Sequence, residues 1–419
     1  MSREKMIKFT VIIPTRERCD VLKSALKTCT MQKYDNLEII VSDNFSQDGT
    51  KEAVESLKDG RVRYINTGKR ISMSDNWEFA LSHVDSGYVS YLGDDDGLLP
   101  GALEELSDII NRTGCDAISC KTAGYSWPDH INKSSRNLLR IPLGTSLEKR
   151  DSKEMLTDVI NFNRDQAELP SLYRGFVKHE VIKKAVNGSG RFFHSRIPDV
   201  YSGIAVACVS DFYYYSHRPF AISGASHHSI GAAVAFNDGL DNKIVKKFLS
   251  EDNMPFHNKL VSATSSPINV AESFLQAQDH LSCAKSFSLD IKKCIKAAMQ
   301  EVYYVPEKEC DTVIEEIKKI ASLNQLEDYA SEVIASHKKV PARLNRPVLG
   351  FNPIRNHIII NCSEFGVRNV YDASILCNHI LVLEKNGYHS VKGIFNTAVS
   401  LLKRELSNKN LGSIFLKIK

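Results

Sequence analysis

A chain of 419 residues is longer than one hydrophobic core usually serves, and its 42% hydrophobic and 25% charged residues are those of an ordinary globular protein. Its 54 Lys+Arg against 50 Asp+Glu leave a formal net charge of +4, too balanced for a surface that coats nucleic acid, so no nucleic-acid partner is expected. The 10 cysteines lack zinc or redox spacing and no apolar run is long enough to span a bilayer, which predicts reduced thiols and a cytoplasmic protein.

The first hundred residues alternate short β-branched runs with helical patterns. Strands are predicted over 8–14, 37–42, 62–65 and 88–92, with helices over 21–31, 50–57 and 74–84 between them. Such a β-α-β series with short loops implies parallel strands covered by helices on both faces, and ligands in such sheets sit at the carboxyl ends of the strands. A helix over 98–111 and a strand over 117–120 follow. Residues 126–150 are polar and carry no clear period. Helices or strands return at 156–160, 176–185 and 200–210, and a strand-like run at 213–223 closes this half. After Gly239 strands become rare and Lys/Glu-rich helical patterns take over at 269–284, 289–304, 310–323 and 326–337. Residues 338–353, with Pro341, Pro347 and Pro353 among several basic residues, read as a linker or extended arm. A small α/β appendage over 357–419 ends in a helix, 394–406, with Phe395, Val399, Leu402 and Leu406 on one side and Lys403 and Arg404 nearby. Two domains are therefore expected: an α/β domain over 1–238 and a mainly helical one over 239–419.

Three polar loops follow predicted strands: Pro14-Thr15-Arg16-Glu17, Ser42-Asp43-Asn44-Phe45-Ser46-Gln47-Asp48-Gly49-Thr50, and Gly93-Asp94-Asp95-Asp96-Gly97. In a parallel sheet all three gather on one edge. Three adjacent carboxylates repel one another and need a positive partner, for which a hard divalent cation with oxygen ligands is the obvious candidate. Alone, the triplet equally suits a helix start, Asp43 an Asx turn, and Asp48-Gly49-Thr50 a turn that opens a helix.

Together, the three motifs in this order, with Val11-Ile12-Ile13 before the first and Leu98-Leu99-Pro100 after the last, strongly resemble the family 2 glycosyltransferases of the GT-A fold. The resemblance covers roughly residues 7–230, and most of it lies in the first hundred. It implies a GT-A, Rossmann-like, mostly parallel sheet with flanking helices. It further implies that Pro14, Thr15, Arg16 and Glu17 line a nucleotide pocket, that Asp43 meets the base, and that the acidic triplet is a DxD-type motif touching the ribose and holding Mn²⁺ or Mg²⁺ on the diphosphate. If Pro100 is aligned with the proline that often follows this motif, Gly93 stands where the first aspartate is common. Asp95 is then the metal ligand to expect, with Asp94 and Asp96 in support.

A bound cation would stabilise the charge left on a departing nucleoside diphosphate, and an inverting transfer needs a base for the acceptor hydroxyl. The family places an Asp or Glu roughly a hundred residues after the DxD motif, and Asp199 in Arg196-Ile197-Pro198-Asp199-Val200-Tyr201 fits best, with Asp211 second and a helix cap as the structural alternative. His227 and His228, in a small-residue loop like the one that closes over the diphosphate in relatives, are candidates for a metal or phosphate contact, a plain loop being the bland reading. Arg218 either neutralises phosphate or solvates a strand end. Asn187-Gly188-Ser189-Gly190-Arg191 reads as a turn.

The resemblance thus predicts an inverting, metal-dependent enzyme that moves a hexosyl or N-acetylhexosaminyl group from a nucleotide-sugar, UDP-linked by expectation, to a hydroxyl of a glycan or lipid-linked glycan in bacterial surface polysaccharide (O-antigen or capsule) synthesis. The C-terminal part is expected to serve acceptor handling, homo-oligomerisation or membrane docking. Arg343, Arg346, Arg355 and the basic last helix are the candidates for anionic headgroups at the inner face of the cell membrane. A non-catalytic nucleotide-sugar-binding or scaffold protein is the alternative; a sugar nucleotidyltransferase would need a glycine-rich loop that Pro14-Thr15-Arg16-Glu17 does not supply.

Overall fold

The computed structural model describes residues 6–186, 188–229, 251, 254–263, 265–302, 307–336 and 349–385. Four parallel strands form its centre: β1 (Phe9–Thr15), β2 (Leu37–Asp43), β3 (Val62–Asn66) and β4 (Tyr88–Tyr91), joined by α1 (Cys19–Thr30), α2 (Thr50–Glu55) and α3 (Met73–Leu81). Phe9, Val11, Ile12 and Ile13 are all buried, as continuous apolar strands must be when helices cover both faces. In α1 the inward stripe is Val21, Leu22, Ala25, Leu26 and Cys29. In α3 the N-cap Ser72 accepts from the Asp75 backbone N–H and donates its hydroxyl back to the Asp75 carboxylate, which fixes where the helix starts.

The chain continues through β5 (Gly97–Leu98), α4 (Ala102–Thr113), β6 (Ala117–Cys120), β7 (Ala123–Ser126), β8 (Leu138–Pro142), β9 (Leu147–Asp151), α5 (Ser152–Ile160), β10 (Phe176–Lys178), α6 (His179–Lys184), α7 (Pro198–Val209), β11 (Phe212–Ser216) and β12 (Ala221–Ala225). Then come α8 (Ser266–His280), α9 (Ile291–Glu301), α10 (Glu307–Leu323), α11 (Glu327–Ser336), β13 (Gly350–Asn352), β14 (His357–Asn361) and α12 (Val370–Lys385). The first sheet has the order β3-β2-β1-β4-β10-β6-β11-β9. Its pairings β3-β2, β2-β1, β1-β4 and β6-β11 are parallel, and β10 and β9 pair antiparallel to their neighbours.

Three features depart from the sequence reading. The helix expected from Leu98 starts at Ala102, because Leu98 is taken by pairing with Ala221 of β12 and the chain turns through Gly101 at φ 74°. The polar stretch 126–150 contains β8 and β9, and with β7 and β12 it helps build a second sheet, β13-β14-β8-β7-β12-β5, that no local pattern announced. The third departure concerns the far end of the chain. β14 pairs antiparallel with β8, and Ile358, Ile360, Phe365, Val370, Leu376 and Leu381 share one apolar cluster with Val21, Leu99, Tyr125, Leu139 and Ile141. Residues on both sides of the 238/239 division thus pack into one core. The helices α8–α11 form their own cluster, with Ile268, Leu275, Ile295, Met299, Ile317 and Ile320 at its centre, while Val270, Phe274 and Ala277 of α8 pack onto the cluster around α7.

Among the described residues no helix is long and apolar enough to cross a membrane. The helix predicted over 394–406, with Lys403 and Arg404, and the arm carrying Arg343 and Arg346 lie outside the described residues.

Ile358 is 1% exposed in the shared cluster. Truncating it (Ile358→Ala) should cost about 2–4 kcal/mol in denaturant unfolding and lower the midpoint of the transition that reports the N-terminal sheet. A transition of that sheet indifferent to the change would mean that β14 contributes nothing to it.

Candidate active site

The carboxyl ends of β1, β2, β3 and β4 form one edge, and the register puts Thr15 beside Asp43 and Asp43 beside Asn66. Asp43 is buried. Its Oδ1 accepts from the Ser46 N–H (3.0 Å), the Asx turn, while Oδ2 accepts from the Tyr64 hydroxyl (2.6 Å) and Asn66 Nδ2 (3.1 Å). Burial, and then Asp43, push the Tyr64 phenol up to about 12, so it stays a donor. Asp48 is structural: it accepts from the backbone N–H groups of Cys19 and Thr50.

Asp94, Asp95 and Asp96 follow β4 with 3%, 6% and 0% of their surface exposed. Their charge is met from two sides. Asp94 accepts from Thr15 Oγ1 (2.9 Å) and Arg18 Nη1 (3.0 Å). Asp96 accepts from the N–H of Gly224 (2.7 Å) and of Gly93 (3.2 Å) and pairs with Arg174 Nη1 at 3.4 Å. Asp95 takes both the N–H (3.1 Å) and the hydroxyl (2.7 Å) of Ser226 on Oδ2. Desolvation still raises the carboxyls of Asp94 and Asp96, the latter to about 6, with the neighbouring Asp95 charge adding to it. Burial works against the Arg18 guanidinium, yet Asp94 and Asp95 hold its pKa above the usual value.

Arg174 and Arg18 are the site residues that the sequence did not single out. Arg174 has a left-handed backbone, φ 63°, its N–H bonds the Tyr91 carbonyl (2.8 Å), and its guanidinium lies 4.1 Å over the Tyr173 ring. Glu17 (φ 53°) and Phe45 (φ 61°) share that strained conformation on the same edge, and backbone strain of this kind concentrates at functional sites. The only sequence hint for Arg18 is its place two residues past Arg16; Arg174 sits in a loop 78 positions from Asp96 and has none.

Arg174 also links the triplet to Asp199. The Asp199 charge acts on the Arg174 guanidinium together with that of Asp96, and burial raises the Asp199 carboxyl while the Val200 backbone N–H and then Arg174 lower it. Asp199 stands in the first turn of α7, just after Pro198, with no side-chain cap bond at that helix start, and its carbonyl accepts from the hydroxyls of Ser171 and Ser202. Asp211 is exposed at the amino end of β11, the opposite end of the sheet from the triplet. Arg218 is buried against Glu105 (3.0 Å) and the Leu381 carbonyl, a structural tie to α12 that removes it from any phosphate role.

Arg16 pairs with Glu251, and Arg18 and Arg70 lie near enough to lower its pKa further, though burial lowers it most. Glu17 accepts from the Gln47 N–H (3.2 Å) and its own N–H bonds Ser46 Oγ, tying the first loop to the second. The His228 carbonyl accepts from Arg18 Nη2 (2.6 Å), which brings the loop after β12 over the triplet. There His228 meets Asp20 at 3.2 Å, His227 meets Asp129 at 2.6 Å, and Asp20, His227 and His228 could together hold a metal ion.

The triplet itself offers only oxygen donors, the kind that Mg²⁺ and Mn²⁺ take. Asp95 is the least occluded of the three, and among the described residues it accepts through Oδ2, with Oδ1 left for a further partner. Donors of this kind suit a divalent cation through one or two carboxylates; the three do not converge on one point, whereas among the described residues Asp20, His227 and His228 do.

Residues 10–168 match the model for the family described as glycosyl transferase family 2. Over 110 residues the chain is 38% identical to a GalNAc(5)-diNAcBac-PP-undecaprenol β-1,3-glucosyltransferase of Campylobacter jejuni, covering 26% of this chain and 36% of that protein. Over 131 residues it is 27% identical to an abequosyltransferase of Salmonella typhimurium, 27% of this chain and 39% of that one. The matches thus span little more than a third of these relatives' lengths. A crystal structure of S. aureus TarS 1–349 with UDP-GlcNAc is similar at 15% identity and TM-score 0.46, over 79% of this chain and 91% of that one.

Removing the guanidinium (Arg174→Ala) should strand Asp96 and cost about 3 kcal/mol in urea unfolding. Adding Asp96→Asn should recover part of that loss, so the double-mutant cycle gives a coupling well above zero. Strict additivity would show that the two groups do not depend on each other.

Proposed function

Because residues 10–168 match the glycosyl transferase family 2 model, we propose that the chain moves a sugar from a nucleotide-sugar to a hydroxyl of a glycan, with inversion at the transferred carbon. The observation that carries this reading is the buried acidic triplet, balanced by Arg18 and Arg174, with Asp199 sharing Arg174. The proposed donor is a UDP-sugar carrying a hexosyl or N-acetylhexosaminyl group. The proposed acceptor is a lipid-linked glycan of bacterial surface polysaccharide, a class suggested by the undecaprenol-linked substrate in the name of the Campylobacter relative.

In this reading Asp43, with Pro14, Thr15, Arg16 and Glu17, forms the nucleotide wall. Its hydrogen bonds to Tyr64 and Asn66 keep the Asp43 carboxylate fixed before any base arrives. Arg16 and Arg70, which lie near each other at the adjoining lip, would meet the diphosphate. Asp95, with Asp96 beside it and Asp94 toward the ribose, would hold Mn²⁺ or Mg²⁺, and His227 or His228 would add a contact from the loop above. The bound cation supplies charge stabilisation for the departing diphosphate. Asp199 accepts the proton of the acceptor hydroxyl; its burial raises its basicity, and Arg174 holds the carboxylate ready for that proton. The helices α8–α11 are proposed to serve acceptor handling or self-association.

The test is thermal unfolding against a panel of nucleotides and nucleotide-sugars with and without Mn²⁺. A ligand at about a hundred times its dissociation constant stabilises the native state by roughly 2.7 kcal/mol, so UDP should raise the midpoint when metal is present, and Asp95→Ala should lose the metal-dependent part. Loss of all nucleotide shifts from the wild-type chain would favour a non-catalytic scaffold.

Asp199→Asn should keep the shift and lower turnover by about 10²–10⁴-fold. Since the base acts deprotonated and its carboxyl is raised, wild-type kcat/KM should fall as the pH drops through that raised value. The residual activity of Asp199→Asn should lack this acid limb. An unchanged acid limb in the variant would assign the base elsewhere.

A further inference from the structure

Three elements meet at the rim above the triplet. Asp20 stands in the first turn of α1. Asp129 lies in the loop after β7, and His227 and His228 lie in the loop after β12. β7 and β12 pair in parallel, with Ser126 beside Ala225, so their two loops leave the second sheet at one edge. The backbone around the histidines is pinned. The His228 N–H donates to the hydroxyl of the buried Ser226 (3.2 Å), and the His228 carbonyl accepts from Arg18 Nη2 (2.6 Å). The two imidazoles lie side by side, with ring centroids 3.7 Å apart.

One ligand atom from each of Asp20, His227 and His228 lies within 4.8 Å of the other two, and among the described residues no carboxylate of the triplet joins that group. His228 Nε2 and Asp20 Oδ2 are 3.2 Å apart. Two ligands of one tetrahedral Zn²⁺, each at about 2.0–2.1 Å, stand about 3.3 Å from each other, so this pair already has the spacing of a shared cation. His227 donates its Nδ1–H to Asp129 Oδ2 (2.6 Å), which leaves Nε2 as the nitrogen with a free lone pair. A carboxylate behind a ligating imidazole fixes its tautomer and its orientation at metal centres. The charges also match a divalent ion: Asp20 and Asp129 are both acidic, and the nearby Arg18 guanidinium is answered by Asp94 and Asp95.

We propose that Asp20, His227 and His228 form a site for a borderline transition cation such as Zn²⁺, with Asp129 orienting His227 and a fourth position open to water. Two imidazoles and one carboxylate suit Zn²⁺, whereas the all-oxygen triplet suits the harder Mg²⁺ and Mn²⁺. The bound ion ties the loop after β12 to α1 and so holds that loop over the triplet. It engages both imidazoles on the α1 side, and therefore competes with any contact they lend to the donor. The site is separate from the proposed donor metal and does not depend on sugar transfer.

The experiment is calorimetric titration of the full chain with Zn²⁺ in excess Mg²⁺ and without nucleotide, repeated with Co²⁺ as a spectroscopic probe. The wild type should bind Zn²⁺ despite the Mg²⁺, and the Co²⁺ spectrum should show weak visible bands without the near-ultraviolet absorption of a thiolate ligand. Asp129→Ala should weaken Zn²⁺ binding by about 10–100-fold, and Asp20→Asn by roughly tenfold or more. The metal-free unfolding midpoints of both variants should match the wild type, which separates a lost ligand from a lost fold. Undiminished Zn²⁺ binding by Asp20→Asn overturns the proposal. So does a thiolate band, which would assign the ion to cysteine, or displacement of Zn²⁺ by Mg²⁺, which would assign it to the triplet. Because zinc binding is read without nucleotide, it can fail while the donor-site reading stands, and the reverse.

Discussion

Three consecutive carboxylates taken out of water at the end of β4 set the terms for everything around them. Each would cost several kcal/mol if left uncompensated, and the chain compensates them from places far apart in sequence. Arg18 comes from the loop after β1, Arg174 from the loop before β10, and the N–H groups of Gly224 and Ser226 from β12 and the loop after it. Gly224 has to be glycine there: an added Cβ would fall 1.7 Å from the Asp95 carbonyl oxygen. The second sheet, which carries β12, is thus tied to the first by the need to bury this charge. The residual rise in the Asp94 and Asp96 carboxyls shows that the compensation is incomplete, a condition that favours any further positive charge.

What the sequence disclosed follows from which interactions are local. β1 and β2 are β-branched runs that end at loops, α1 carries its apolar stripe at helical spacing, and the acidic triplet is contiguous, so all of these could be read directly. The family resemblance turned three separately ambiguous loops into one edge, and that edge is present. Arg174 was invisible because its position follows from a left-handed backbone and a contact to Asp96, 78 positions away. The strands β7, β8 and β9 were hidden for a related reason. β9, Leu-Glu-Lys-Arg-Asp, is a polar edge strand whose place is fixed by antiparallel pairing with β11, and β8 is sandwiched between β7 and a strand more than two hundred residues on. Arg218 was open to two readings, a phosphate contact or a solvated strand end, and its burial against Glu105 fits neither, because that partner is brought in by the fold and not by sequence.

The division of labour along the chain is less clean than its changing texture suggested. Helical composition does mark α8–α11, which have a core of their own. The segment from β13 through α12 shows that texture and packing are different things: it follows the helices in sequence but belongs, by its apolar contacts, with α1 and the second sheet. Arg218, donating to the Leu381 carbonyl, and Asn137, donating to the Val367 carbonyl, stitch the two ends of the chain together with polar bonds as well.

That stitching bears on how the protein is made. Asn137 and Val367 are 230 positions apart, so a ribosome adding about 5–20 residues per second needs roughly 10–50 s to deliver the second after the first. Throughout that interval β8 has one unsatisfied edge, and the apolar faces of Leu139 and Ile141 await a helix not yet synthesised. The nascent N-terminal half is therefore born with an open sheet margin of the kind that invites intermolecular pairing, and its maturation is a late event with high contact order. Chaperone occupancy during translation, and aggregation of fragments ending before β14, are the places where the cost of that long-range closure is borne.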